Sequence, residues 1–91
     1  MDSVKEMEAI AGTTNKGDAF IRVKPVNRGE GITITLESKV DSLYKDEILK
    51  AIRKKLEELK ISDIYVEIKD YGALDYVLNA RLETAILRVP R

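Results

Sequence analysis

A small two-layer α+β domain is what this sequence encodes, and three observations point there. Residues 18–25 (D-A-F-I-R-V-K-P) and 32–37 (I-T-I-T-L-E) alternate apolar and polar with a period of two, as half-buried strands do. Residues 43–60 carry Ile48, Ile52, Leu56 and Leu59 at helical spacing. Residues 63–69 (D-I-Y-V-E-I-K) alternate again, and a long apolar-rich stretch follows without a breaker. The expected order is (β)-β-β-α-β-α: a three- or four-stranded, mostly antiparallel sheet with two helices on one face.

Each element has its own signal. Residues 8–13 (E-A-I-A-G-T) can make a short strand of small residues. In the next strand Ala19, Ile21 and Val23 share one face, and Phe20, Arg22 and Lys24 the other. Pro25 closes it, because it has no N–H for the ladder. The turn N-R-G-E-G at 27–31 leads to strand 32–37, which is expected to pair antiparallel with its predecessor. The helix at 43–60 has Ser42 as a candidate cap, Asp46 and Glu47 near its start, and Lys60 at its end. Lys50, Lys54, Glu57 and Glu58 form its wet face.

In the fourth strand Ile64, Val66 and Ile68 face one way, and Tyr65, Glu67 and Lys69 the other. Residues 73–88 fit both periods in part, and their length favours a helix. Leu74, Val77, Leu78, Leu82, Ala85 and Ile86 form its stripe. Gly72 is its candidate cap, Asp75 suits its first turn, and Pro90 marks its stop. Residues 1–7 have no period and are expected to fray; residues 8–91 form one domain.

Composition narrows the chemistry. Sixteen basic residues balance sixteen acidic ones, which argues against a general nucleic-acid binder. There is no Cys and no His, so thiol, imidazole and thiolate-metal chemistry are excluded. No signal peptide or membrane-length apolar run is visible, so a cytoplasmic location is expected. Phosphate-loop and dinucleotide motifs are absent, and G-E-G at 29–31 reads as a plain turn. Asp70, Asp75 and Glu83 are carboxylates with surface or capping roles rather than an acid–base pair. Tyr65, Tyr71 and Tyr76 can stack on bases, but such tyrosines are usually half-buried with the hydroxyl in water. A K-homology-type RNA module has this size, yet its G-x-x-G loop is missing. The chain therefore reads as a carrier, adaptor or subunit rather than an enzyme.

Two stretches carry a resemblance to a known family. E-A-I-A-G-T-T-N-K-G-D-A-F-I-R-V at 8–23 resembles the N-terminal part of the citrate lyase acyl carrier protein (gamma chain) family. K-D-Y-G-A-L-D-Y-V-L-N-A-R-L-E-T-A-I-L-R at 69–88 resembles its C-terminal part, where D-x-G-A-L-D-x-V-L-x-A-R-x-E recurs. The likeness runs from about residue 8 to residue 88, and more distantly extends to the malonate decarboxylase carrier. It implies a non-catalytic subunit of a lyase complex that works with the citrate lyase alpha and beta subunits and a prosthetic-group transferase. The balanced charge and the lack of a membrane-length apolar run leave no nucleic-acid or membrane partner expected. The resemblance also implies a covalent phosphoribosyl-dephospho-coenzyme A arm, on a serine of the turn, whose thiol shuttles acetyl and citryl groups.

Here the sequence departs from the family pattern. The turn reads A-G-T-T-N-K-G-D, and Lys16 stands where the family pattern has the attachment serine. A lysine cannot form the same phosphodiester. Thr13 and Thr14 offer hydroxyls in a different register, between Gly12 and the Gly17-Asp18 pair, and Ser3 is far upstream. The candidate cofactor-binding set is thus Lys16, Thr14, Thr13, Gly17 and Asp18. Three readings stay open: a carrier locked in its apo form, a threonine-linked arm, or a diverged homologue that keeps only the scaffold. Against all three stands an exposed lysine with no special role.

Overall fold

A computed structural model describes residues 7–39 and 42–89. The expected fraying of the N-terminal residues, Ser3 and the Pro90 stop lie outside the described residues. The elements are β1 (Ala9–Gly12), β2 (Ala19–Pro25), β3 (Ile32–Glu37), α1 (Ser42–Glu58), β4 (Ile64–Asp70) and α2 (Asp75–Arg88), in the expected order.

The pairing corrects one expectation. The four-stranded sheet has the order β1-β2-β4-β3, so β3 does not pair with β2. β4 lies between them, antiparallel to β2 (Pro25 opposite Ile64) and parallel to β3 (Ile32 opposite Ile64). Burial explains the central place of β4. Its inward Ile64, Val66 and Ile68 are fully buried, whereas Ile32, Ile34 and Leu36 of β3 are only partly so, as edge residues are.

The glycine turn at 27–31 looked like a hairpin but spans two strand spacings, about 9.6 Å. Asp63, just before β4, holds it there: its Oδ1 accepts the Gly29 N–H at 3.0 Å and the Gly31 N–H at 2.8 Å. Those bonds to Gly31 and Gly29, with the Ser62 hydroxyl and Arg28 nearby, hold the Asp63 carboxyl below its ordinary pKa against some desolvation. The crossover from β3 to β4 is α1, the usual parallel connection.

Register lines the inward side chains into rows. Ala9, Val23, Val66 and Ile34 form one; Ala11, Ile21, Ile68 and Leu36 form the next. α2 packs across β1 and β2, and α1 packs beside it against β3. Ile48, Ile52 and Leu56 of α1 and Leu78, Leu82, Ala85 and Ile86 of α2 complete the core on that one face. Small residues in β1 (Ala9, Ala11) let α2 approach the sheet closely. A Lys55–Glu83 ion pair at 3.0 Å ties the helices together, which gives Glu83 the surface role expected of it.

Helix ends differ from expectation by a residue or two. Ser42 is the first residue of α1 rather than its cap. α2 starts at Asp75 with Leu74 at the N-cap position and no side-chain cap. Gly72 therefore lies before the cap, and Leu74, expected in the apolar stripe, is 59% exposed. At the other end of α1 the Lys60 N–H donates to the Glu57 carbonyl and the Ile61 N–H to the Leu56 carbonyl, a Schellman closure. It puts Lys60 at φ 59°, the left-handed region. Glycine suits that position better, so Lys60→Gly should raise unfolding stability by about 0.5–1 kcal/mol in urea titrations.

Candidate functional site

The candidate residues lie on the connection between β1 and β2. Gly12 ends β1 with φ +88°, and a Cβ there would stand 1.8 Å from the Ala19 carbonyl oxygen. Only glycine lets β1 and β2 close at this point. Beyond it, the Asp18 N–H donates to the Asn15 carbonyl at 3.0 Å, closing a turn over 15–18. Gly17 has φ +87° while Lys16 is not among the positive-φ residues, so the turn is type II with Lys16 at its leading corner.

Asp18 organises this segment. Its Oδ2 accepts the Thr13 N–H at 3.1 Å and the Thr13 hydroxyl at 2.7 Å. Its Oδ1 accepts the Ala19 N–H at 2.7 Å. Arg81 of α2 reaches the same carboxylate with two donors, Nε to Oδ1 at 3.0 Å and Nη2 to Oδ2 at 3.3 Å. Arg81 is the largest cause, then Thr13 and the Ala19 amide, and together they hold the Asp18 carboxyl far below its ordinary pKa. The other flank of the turn is tied to the end of β4. The Gly17 N–H donates to the Tyr71 carbonyl at 2.7 Å, and the Tyr71 N–H to the Asp18 carbonyl at 3.0 Å.

These bonds sort the hydroxyls. Thr13 is engaged twice, donating to Asp18 and accepting the Asn15 N–H at 3.2 Å. The Thr14 and Lys16 side chains are exposed and make no hydrogen bond or ion pair among the described residues. Both line an open groove of about 760 Å³, with Ser38, Lys39, Lys69 and Tyr71 on its other sides. Gly17 shapes the turn and Asp18 anchors it; neither is available to a ligand as Thr14 and Lys16 are.

Asp70 is a residue the sequence undervalued. Its register partner is Ala19, so it ends an inward row and is 8% exposed. Oδ1 accepts the Gly72 N–H at 3.1 Å and the Ala73 N–H at 2.9 Å, and Oδ2 accepts the Ser38 hydroxyl at 2.9 Å. It shapes the approach to α2. Asp75 begins that helix and meets Tyr44 of α1. Its charge, with desolvation, Asp70 and a hydrogen bond from the hydroxyl to Asp75, pushes the Tyr44 pKa up. Tyr76 is 70% and Tyr71 39% exposed, while the Tyr65 hydroxyl lies 3.2 Å from Thr35 Oγ1.

Arg81 is the main residue the sequence reading missed. It stands in the quoted C-terminal stretch, 63 positions from Asp18. The two resemblance stretches are thus two halves of one structure, with Asp18 in the first bonded to Arg81 in the second.

The comparisons with known proteins agree with this architecture. The family model described as the malonate decarboxylase delta subunit, an acyl carrier family, matches residues 6–89. A citrate lyase acyl carrier protein of Yersinia enterocolitica is 42% identical over 81 residues, covering 89% of this chain and 82% of its own length. This chain belongs to the acyl carrier protein family. A second relative of the same name, from Halothermothrix orenii, is 37% identical over 91% of this chain and 86% of its own. The same fold occurs in a crystal structure of a Pseudomonas malonate decarboxylase hetero-tetramer in complex with malonate. There the TM-score is 0.67 at 18% identity, over 94% of this chain and 87% of that one. Those names agree with the reading of a carrier subunit rather than an enzyme. Among the described residues no helix is long and apolar enough to cross a membrane, and no group of three metal-ligating side chains occurs.

Two substitutions test the clamp. Gly12→Ala should cost about 3 kcal/mol or more, read as a lowered urea midpoint, because neither backbone can give way. Asp18 has a depressed folded pKa. Its contribution is complete above the unfolded value of about 3.9 and fades as pH falls below that toward the folded value. In Arg81→Met the Asp18 carboxyl carbon should titrate closer to the ordinary value by NMR. The Thr13 amide signal should then shift in the same pH range.

Proposed function

We propose that this chain is the carrier subunit of a citrate-lyase-type complex in the cytoplasm, and that the turn at 13–17 bears its phosphoribosyl-dephospho-coenzyme A arm. The observation that carries this is the state of the turn. Its base is bonded to β4 and α2, and its tip is exposed. A long arm needs that combination: a fixed origin and a free end, so that tethering keeps its thiol concentrated at the catalytic alpha and beta subunits. Bound there, the arm would supply the thiol that holds acetyl and citryl groups; the chain's own residues supply only its anchor and its direction.

Thr14 is the hydroxyl in the turn that fits a phosphodiester. Thr13 does not fit, because replacing its proton would remove the bond to Asp18 that shapes the turn. A second reading rests on Lys16. With an amine where the attachment serine is expected, the chain acts as an unloaded structural subunit that keeps only the docking fold.

Intact mass after co-expression with the prosthetic-group transferase separates these. The arm's mass should appear on the wild type and vanish in Thr14→Val, with the Thr14→Val fold unchanged. An unmodified wild type beside a modified Lys16→Ser variant would remove the loaded carrier and leave the structural subunit. Failure to co-purify with either catalytic subunit would sink both.

A further inference from the structure

The groove beside the turn gathers charged side chains from separate elements. Three lysines reach it from separate elements: Lys16 from the turn, Lys39 from the exit of β3, and Lys69 from β4. Among the described residues, four basic side chains elsewhere have acidic partners. Arg22 meets Glu67 at 3.7 Å, Lys24 meets Glu8 at 3.5 Å, Lys55 meets Glu83 and Arg81 meets Asp18, each at 3.0 Å. Among the described residues the three groove lysines have none. Two carboxylates share the groove with them. Asp70 is occupied by the Ser38 hydroxyl and two backbone N–H groups. Glu37 sits opposite Lys69 in the β3–β4 register and trims the positive charge.

Tyr71 adds a partly exposed ring to the same wall, held by backbone bonds to Gly17 and Asp18. A volume of about 760 Å³ lies in the range of small-molecule sites. Three cations and an exposed aromatic residue lining one groove match a ligand with a diphosphate and a flat base. We propose that this groove binds an adenine nucleotide diphosphate, and that its resident is the nucleotide portion of the chain's own arm. The second half rests on the carrier reading above. Thr14 itself lines the groove, so an arm rooted there begins inside it. The nucleotide then lies against Lys39, Lys69 and Tyr71, and only the thiol-bearing remainder swings.

Titration of the isotopically labelled full chain with ADP, dephospho-coenzyme A and adenosine tests this by NMR. ADP and dephospho-coenzyme A should shift the amides of Thr14, Lys69, Tyr71 and Gly72, and added salt should weaken them. Lys39→Gln with Lys69→Gln should weaken ADP about tenfold, and Glu37→Gln should tighten it. Adenosine binding as well as ADP, shifts confined to other surfaces, or indifference to the lysine changes would overturn the site. The two proposals fail separately. An unmodified chain that still binds ADP here loses the arm and keeps the groove; a chain that takes up the arm but, prepared without the transferase, ignores ADP keeps the arm and loses the groove.

Discussion

The carboxylate of Asp18 is the interaction on which the β1–β2 turn and its contact with α2 depend. It takes five donors: the Thr13 backbone and hydroxyl, the Ala19 backbone, and two nitrogens of Arg81. The donors serve three requirements. Thr13 sets the start of the turn, Ala19 the start of β2, and Arg81 the position of α2 over the β1–β2 pair. A carboxylate with so many donors stays ionised, and its charge in turn fixes the Arg81 guanidinium. Gly12 makes the arrangement possible, since any side chain there would collide with the Ala19 carbonyl.

β4 plays the matching part in the body of the fold. As the central strand it carries the inward isoleucines and valine that both neighbours pack beside. Its two ends hold the two loops that matter. Asp63 before it captures the 27–31 turn, and Tyr71 after it captures the 13–17 turn. Asp70 at its last position bends the chain toward α2. The 13–17 turn is therefore anchored at its base on a buried strand and a packed helix, while its tip faces solvent.

The groove follows from the same geometry. Ending β3 and β4 side by side in parallel brings Lys39, Lys69 and Tyr71 to one end of the sheet. The antiparallel β2–β4 pair brings the turn to that end as well. Had β3 paired antiparallel with β2, it would still have ended at the turn's end of the sheet, but beside β2 rather than beside Lys69 of β4.

Much of this was legible in the chain. Period-two alternation in 18–25, 32–37 and 63–69 and the helical stripe in 43–60 determined the elements, because burial of one face forces those periods. The turn composition and the two resemblance stretches marked the exposed segment and the family to expect. Other features belong to the tertiary structure alone. Whether β3 meets β2 or β4 depends on which strand is apolar enough for the centre and on a side chain, Asp63, that is distant in sequence from the turn it holds. Arg81 meets Asp18 only because α2 folds back across β1 and β2. Thr13 and Thr14 look interchangeable as neighbours in a string, and hydrogen bonds to Asp18 make one structural and leave the other open. Sequence by itself determined the elements and the family, since both are written in local periods and short patterns. Strand order, the clamp on the turn and the lysine groove were decided by contacts between residues far apart in the chain, which no local pattern encodes.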